Sequence, residues 1–297
     1  MCKNLLASNF VEYVQIILDI VNGAKKGSTL LFRGHTDSSY ELMPSITRKE
    51  GLIYLERNII ADAMGKNPNV FYEDKYSMNL LVRMQHFGLP TRLLDVSFNA
   101  LVALYFSCNR ELGKDGEVFV FYPNISSFAY IKKYYNRDIT IISQMYKLQG
   151  FGHFKLEEYL EMIGLEYNKT HYIWENGVTK YINPQYYLTM LYESICIPNF
   201  VLPMELSERQ KRQQGAFIIF PNKLIKKENK IEIEGHIDKL EKDDAVILAK
   251  ITIPKEAKEE IMSNLETFGI TKEFLFPDSI DTVCEAIKEK ALKRLEH

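Results

Sequence analysis

Apolar residues recur every three to four positions over several stretches of the chain, which is the period of an amphipathic helix. In the first stretch, from Asn9 to Gly23, an apolar face follows a capping serine or asparagine, and a glycine ends the pattern. A capping box at Ser207 and Gln210 predicts a short helix that ends near Gly215. The same periodicity predicts helices at about residues 53–64, 77–87, 96–110, 255–268 and 278–292.

Runs of alternating or continuous β-branched and aromatic residues predict strands between these helices. In the stretch TLLFRG, the side chains of Thr29, Leu31 and Arg33 share one face, so Arg33 emerges at a strand end beside a glycine. Further strands are predicted at residues 116–123, 216–220, 230–237 and 245–254.

The stretch from Met84 to Asp95 fits neither period, because amide, ionisable and turn-forming side chains crowd together in it. Gly88 is typical of a left-handed C-cap that ends the preceding helix, and Pro90 prevents its continuation. We therefore predict a loop that leads into the next helix, with Asp95 or Ser97 as the capping residue.

Residues 124–192 differ in composition from the rest of the chain, since they hold most of the tyrosines and the single tryptophan, Trp174. They lack clear strand periodicity. We predict a mostly helical, aromatic-packed insertion within one domain that spans residues 1–297, and we expect the insertion to decorate a site.

The composition is that of a globular protein, with 297 residues of which 46% are hydrophobic and 26% are charged. The 37 Lys and Arg residues nearly balance the 39 Asp and Glu residues, so no field of the whole chain would attract nucleic acid or an anionic membrane. No apolar run is long enough to span a bilayer, and the N-terminus does not have the pattern of a signal peptide. Residues 295–297 are typical of the start of a histidine tag.

The four cysteines lie far apart and form no pair with the spacing of metal ligands. This spacing argues against a disulfide framework and against a zinc site, and we expect no metal ligands. Reduced thiols are expected in the cytoplasm, which is the location that we predict for the protein.

Arg33 is the strongest candidate for a ligand contact. A guanidinium at a strand end next to glycine can present its planar fork to a phosphate. The alternative is a structural ion pair between Arg33 and a carboxylate such as Asp95 or Glu56.

The loop after the helix at 77–87 offers a second set of polar groups within a short path. Gln85 and His86 lie at the helix end, and Thr91, Arg92 and Asp95 follow the turn, as a nucleotide or sugar site requires. The alternatives are a buried Arg92–Asp95 pair that only pins the loop and, for His86, a helix cap rather than a general acid or base.

Motifs of common enzyme classes are absent from the sequence: there is no phosphate-binding glycine loop, no G-x-S-x-G and no H-E-x-x-H. Gln213 and Gln214 precede a predicted strand and can project an amide there, unless they form a solvated helix end. Glu232 and Glu234 share a strand face, which favours an exposed surface over a pair of catalytic carboxylates.

Together these stretches resemble the bacterial FRG-domain family, which is named for the residues found here at Phe32, Arg33 and Gly34. The resemblance spans most of the chain but leaves out the aromatic insertion. Its other parts are LMPSITR at 42–48, the block at 85–107, the strand after Gly116, RQKRQQGAF at 209–217, and the IP and LFPD elements near Ile253 and Leu275.

The resemblance implies an accessory or toxin-like protein of bacterial stress and phage-defence loci, with a defence-system protein as a possible partner. The layout is also similar to that of ADP-ribosyltransferases, which implies an α+β fold with a small, split, mixed or antiparallel sheet flanked by helices. In that case Arg33 would bind the phosphates or ribose of NAD, and Thr91 or Ser97 would stand near the nicotinamide ribose. The expected cofactor contacts are Arg33, Gly34, His35, Gln85, Thr91, Arg92, Ser97, Gln214 and Phe217, and the expected catalytic residues are Arg33, His86, Asp95 and Gln213.

The sequence departs from the transferases at their late glutamate, which falls here on Gln213 or Gln214. An amide cannot supply the negative charge that stabilises an oxocarbenium-like transition state, so Asp95 or Glu234 would have to replace it. We therefore expect an ADP-ribosyltransferase-like toxin or phage-defence effector that uses NAD to modify a macromolecule. The alternative is a module of a defence system that senses a nucleotide without chemistry.

Overall fold

The computed structural model describes residues 2–71, 74–123, 131–133, 135–148, 153–167, 171–175, 178–204, 207–228 and 230–277. The predicted helix at 278–292 and the predicted tag at 295–297 lie outside the described residues. The described strands are β1 (Lys3–Leu6), β2 (Leu31–His35), β3 (Leu93–Ser97), β4 (Gly116–Phe121), β5 (Lys132–Lys133), β6 (His153–Lys155), β7 (His171–Glu175), β8 (Val178–Ile182), β9 (Asn199–Leu202), β10 (Gly215–Ile219), β11 (Leu224–Lys227), β12 (Lys230–Glu234) and β13 (Ile247–Ile253).

The α-helices in the same part of the chain are α1 (Phe10–Gly23), α2 (Glu56–Lys66), α3 (Pro68–Phe71), α4 (Ser77–His86), α5 (Ala100–Cys108), α6 (Arg137–Ser143), α7 (Leu156–Met162), α8 (Pro184–Ile195), α9 (Glu208–Arg212), α10 (Lys258–Thr267) and α11 (Lys272–Leu275). A 3₁₀ turn at Ser45–Thr47 matters for the site described below. None of the helices described is long and apolar enough to cross a membrane.

The described strands form one large mixed sheet in the order β1-β13-β4-β2-β3-β10-β9-β5, with two smaller antiparallel sheets beside it. Strand β1 runs parallel to β13 and β5 runs parallel to β9, while the other neighbours of the large sheet are antiparallel. This arrangement confirms the predicted mixed sheet flanked by helices. With eight strands in the described residues, the sheet is larger than the small one that we expected.

Strands β2 and β3 meet in the middle of this sheet and then separate. Their register contains one pair, Phe32 with Ser97, whereas β2 pairs with β4 over five positions and β3 pairs with β10 over five. Side chains alternate between the faces of a strand, so Arg33 and Asp95 approach this gap from opposite faces of the sheet. The gap positions the candidate site.

Helix α5 packs closely on β2, and glycine allows this approach. A Cβ atom on Gly34 would lie 1.9 Å from the carbonyl oxygen of Ala103, and one on Gly116 would lie 2.4 Å from the carbonyl oxygen of Ser107. Both distances are far inside van der Waals contact, so the close packing of the helix requires glycine at both positions.

Two hydrophobic cores cover different halves of one sheet face. One lies under α1, α5 and α10, and the other lies under α4, α6, α7 and α8. A third core fills the opposite face with residues such as Leu31, Leu94 and Phe119. Asp95 is exposed, although the other residues of β3 are buried.

Two local predictions were wrong. Residues 93–95 belong to β3 rather than to a loop, because Leu93, Leu94 and Val96 bury their side chains against different cores. Helix α5 therefore begins later than predicted, and Asn99 caps it by accepting a hydrogen bond from the Leu101 N–H group.

The prediction of a mostly helical insertion at 124–192 holds only in part. Helices α6, α7 and α8 lie in it, but so do strands β5 and β6 and the antiparallel hairpin of β7 and β8. The hairpin pairs His171 with Ile182 and Glu175 with Val178, and residues 176–177 lie outside the described part of the chain.

Candidate functional site

Arg33 extends from β2 into the gap between β2 and β3. Its Nε–H group donates to Nε2 of His35 at 2.9 Å, and its Nη1 donates to the backbone carbonyl oxygen of Asp95 at 2.6 Å. Burial lowers the pKa of Arg33 to about 10, and the charge of Asp95 opposes this shift. The guanidinium is therefore positively charged at neutral pH, and two hydrogen bonds hold it in place.

His35 holds Arg33 as a neutral hydrogen-bond acceptor. Because Nε2 accepts from Arg33, the network assigns the ring proton to Nδ1. Burial, and then the charge of Arg33, lower the pKa of His35 to about 2, and the ring packs edge-on against Phe119 with centroids 5.2 Å apart. His35 consequently carries no charge at neutral pH and orients Arg33.

Asp95 presents an exposed carboxylate on the interior strand β3, and a chain of hydrogen bonds orients it. Nε2 of Gln85 donates to Oδ2 of Asp95 at 2.8 Å, while the hydroxyl of Thr91 donates to Oε1 of Gln85. The Thr91 hydroxyl also accepts from the Leu93 N–H group at 3.2 Å, and the Thr91 side chain is fully buried. Thr91 can therefore reach a ligand only through Gln85.

Ser45, which was not among the predicted site residues, joins the same network. The Thr91 N–H group donates to the Ser45 hydroxyl at 3.0 Å, and the Ile46 N–H group donates to the Thr91 carbonyl oxygen at 3.1 Å. The stretch LMPSITR could have identified Ser45 as a site residue, since it contains Ser45 and is one of the stretches that resemble the FRG-domain family. The three polar stretches around Arg33, Ser45 and Gln85 thus meet in one hydrogen-bonded cluster.

Arg92 faces away from this cluster and lies in the protein interior. It forms a fully buried ion pair with Glu56 through Nε at 2.9 Å and through Nη2, and Nη1 donates to the Asn222 side chain at 3.1 Å. The alternative of an Arg92–Asp95 pair was therefore wrong, because Glu56 supplies the carboxylate. Arg33 likewise contacts the backbone of Asp95 rather than pairing with Glu56.

Gly34 faces α5, as described above, so close packing accounts for this glycine. The other predicted residues near the gap have structural partners. The Ser97 hydroxyl donates to the Gln213 carbonyl oxygen at 2.6 Å, and the Gln213 amide donates to the Leu275 carbonyl oxygen at 3.1 Å. Gln214 is exposed and has a left-handed backbone with φ of 46°, while Phe217 is buried on β10 opposite Asp95.

His86 lies at the end of α4 and lines a separate small cavity of about 180 Å³. The other lining residues include Phe87, Ser207 and Gln210, but neither Arg33 nor Asp95. Its ring contacts that of Phe87 edge-on, with centroids 5.2 Å apart. The structure does not bring His86 together with the cluster at the gap.

The two glutamates of β12 have basic partners on their own side of the protein. Glu232 pairs with Lys227 and with Lys230 at 2.5 Å, and these hydrogen bonds lower its pKa to about 2. Glu234 lies 3.2 Å from Nδ1 of His236. Asp95 is therefore the better placed of the two carboxylates considered as replacements for the late glutamate.

Within the described residues, no group of three His, Cys, Asp or Glu side chains is arranged to hold a metal ion.

Comparison with known proteins gives one positive result. No curated protein and no solved structure matches the chain. The family model of the FRG domain matches residues 28–116, a range that includes Arg33, Ser45, Gln85, Thr91 and Asp95. The chain therefore contains an FRG domain, and the hydrogen-bonded cluster lies within it.

Proposed function

We propose that the gap between β2 and β3 binds NAD and that the protein transfers ADP-ribose to a macromolecule, as a bacterial toxin or phage-defence effector. One observation carries this proposal: the interior strand β3 exposes the carboxylate of Asp95, and the guanidinium of Arg33 is held on the backbone carbonyl oxygen of the same residue. An exposed charge in the middle of a sheet has no packing role, which favours a role in ligand binding.

In the proposed reaction, the bond between nicotinamide and the ribose C1 breaks, and C1 forms a bond to a nucleophile of the acceptor. Nicotinamide leaves with the bonding electrons, and the acceptor loses a proton. Asp95 accepts a hydrogen bond from a ribose hydroxyl and stabilises the oxocarbenium-like transition state, while Arg33 neutralises phosphate charge. Gln85 keeps the carboxylate in place through its bond to Oδ2.

The Asp95→Asn variant tests this reaction, because it keeps the shape of the side chain and removes the charge. Transfer of label from NAD to components of a bacterial lysate, together with nicotinamide release, is expected to fall about 100-fold or more, as when one electrostatic stabiliser is removed. Asp62→Asn is the matched control, since Asp62 is an exposed carboxylate on α2. Wild-type protein that transfers no label and releases no nicotinamide would refute the enzyme hypothesis.

A second function is nucleotide sensing without turnover, as part of a defence system with a partner protein. It is favoured by the glutamines Gln213 and Gln214, one of which stands where the similar transferases carry glutamate, and the Gln213 amide is committed to the Leu275 carbonyl oxygen. NAD binding measured by calorimetry, with no nicotinamide released over hours, would support this function over the first.

We place either function in the bacterial cytoplasm. Cys2, Cys108 and Cys196 are free thiols, which fits a reducing compartment. Growth arrest upon expression in the cytoplasm, lost in Asp95→Asn but not in Asp62→Asn, would support the toxin role.

A further inference from the structure

Helix α1 has a second apolar stripe beside the one that packs on the core. The packed stripe includes Phe10, Tyr13 and Ile20, which are buried. The second, which we call the outer stripe, consists of Val11, Val14, Leu18 and Val21. Three of its members are exposed: Val11 to 74%, Leu18 to 50% and Val21 to 49%. A contiguous apolar surface of this kind is typical of a contact with another protein.

An exposed aromatic ring extends this surface. Phe268, at the C-terminal end of α10, is 63% exposed, and its ring stacks on that of Phe10 with centroids 5.2 Å apart. Phe10 lies one helical turn before Val14, so Phe268 adjoins the N-terminal half of the outer stripe. Two helices thus contribute to the exposed apolar surface.

The spacing of the outer stripe makes it complementary to itself. Its members are separated by three, four and three positions, which is the a/d spacing of a coiled coil. The stripe is therefore symmetric about Ile16. In an antiparallel pair of α1 helices, Val11 of one copy faces Val21 of the other, and Val14 likewise faces Leu18. A two-fold contact requires such a surface, because the same patch must fit itself.

The charges at the two ends of α1 favour the antiparallel arrangement. Glu12 is the one charged side chain in the first two turns, whereas Lys25 and Lys26 follow the last turn. An antiparallel pair places the acidic end of each helix beside the basic end of the other, but a parallel pair would bring the lysines of both copies together. Gln15 and Asn22, which border the outer stripe on its exposed side, are uncharged and add no repulsion.

We propose that the outer stripe and Phe268 form a docking surface for a second copy of this chain, with the two α1 helices antiparallel about a two-fold axis. Because α1 has 14 residues and is about 21 Å long, the surface is small for a stable interface. We therefore expect a reversible dimer with a dissociation constant of about 10–100 μM. None of these residues belongs to the candidate site, so the docking surface does not depend on the proposed function.

Sedimentation equilibrium of the whole chain between about 5 and 500 μM tests the docking surface, and the wild type should shift from monomer to dimer over this range. Leu18→Glu places an unpaired carboxylate of each copy in the contact and should weaken association about 100-fold or more. Val11→Glu should act in the same direction. The matched control is Leu55→Glu on the 3₁₀ turn Leu52–Leu55, because Leu55 is 49% exposed and lies outside α1.

Disulfide cross-linking tests the orientation of the two helices. In an antiparallel pair, Val11→Cys protein should cross-link to Val21→Cys protein when the two are mixed and oxidised, faster than either cross-links to itself. A parallel pair would instead join each variant to its own kind. Wild-type protein treated in the same way accounts for cross-links through the native cysteines.

Thermal unfolding of each variant verifies folding. A wild type that is still monomeric at about 500 μM overturns the docking surface. The same conclusion follows if Leu18→Glu and Val11→Glu form dimers as readily as Leu55→Glu does. Preferred cross-linking of each cysteine variant to itself overturns the antiparallel arrangement.

Discussion

At the scale of single residues, His35 is a titratable side chain that the fold holds neutral. Its Nε2 accepts from Arg33, and a second positive charge, Lys242, also lies close enough to lower its pKa. Lys242 itself pairs with Glu117 at 2.7 Å. Histidine in this position is an acceptor with a fixed geometry, and protonation would break its bond to Arg33.

Stability should therefore depend on pH through His35. The pKa of His35 is about 2 in the folded protein and 6.5 ordinarily, so below pH 6.5 the unfolded state binds a proton that the folded state does not. Folding free energy is then lost as the pH falls from 6.5 towards 2, by up to about 1.4 kcal/mol per pH unit. The variant His35→Gln keeps a hydrogen-bond acceptor for Arg33 but removes the titratable ring. Its free energy of unfolding, measured in urea at pH 7, 6 and 5, should therefore depend less on pH than that of the wild type.

The control variant for this experiment is His236→Gln, because the side chain of His236 is 42% exposed. An unchanged slope between pH 6 and 5 in His35→Gln would show that His35 does not stay neutral in the folded protein.

At the scale of elements, helical periodicity predicted α1, α4 and α10 to within a few residues, since each buries one face and exposes the other. Strand β3 was missed because it is short and follows a turn-rich stretch, so its pairing with β10 decides its conformation. The hairpin of β7 and β8 was missed because residues 124–192 lack clear strand periodicity. The local pattern of hydrophobic and polar residues predicts a strand poorly where the partner strand is distant in the sequence.

The packing of α5 on β2 leads to a prediction about the glycine of the family motif. Gly34→Ala should lower the free energy of unfolding by at least about 2 kcal/mol, because its Cβ would lie 1.9 Å from the backbone oxygen of Ala103. Gly23→Ala at the end of α1 meets nothing within 4 Å and should be neutral or stabilising. Equal urea midpoints for the two variants would contradict the close approach of α5.

The ion pair between Arg92 and Glu56 ties α2 to the start of β3 inside the protein. Arg92→Met leaves a buried, unpaired carboxylate and should cost about 3–5 kcal/mol of unfolding free energy. The double variant Arg92→Met/Glu56→Leu should recover much of this loss, because both charges are removed. Arg57→Met, at the exposed neighbouring position, is the control. If the double variant is no more stable than the single one, the buried pair is not the cause.

At the scale of the whole molecule, the sequence predicted which stretches form the site but not how their side chains pair. Arg33 and Asp95 are separated by 62 positions, and their contact depends on the splitting of β2 from β3. The partner of Arg92 was not predicted either, since Asp95 was the carboxylate considered for it and Glu56 is its partner. Tertiary packing decides which polar groups pair with each other. The periodicity of the sequence carries no information about that packing.

Lys258 connects distant loops in the same way. Its fully buried ammonium group donates to the carbonyl oxygens of Thr36 at 2.7 Å, Glu111 at 3.1 Å and Arg110 at 3.4 Å. Thr36 directly follows β2, and Arg110 and Glu111 follow α5, so one side chain of α10 joins the loops behind the motif strand and its covering helix.

Replacing Lys258 with methionine should therefore loosen these two loops together. The stem of the side chain is kept, but the carbonyl groups of Thr36, Arg110 and Glu111 lose the Lys258 donor, and we expect the free energy of unfolding to fall by about 3 kcal/mol. Limited trypsin digestion should cleave after Arg110 faster than in the wild type, since its carbonyl oxygen loses one of its hydrogen bonds. Lys255→Met, which changes an exposed lysine three residues earlier, controls for the loss of charge. Cleavage at Arg110 with the same rate in both variants would mean that the loops are held by other contacts.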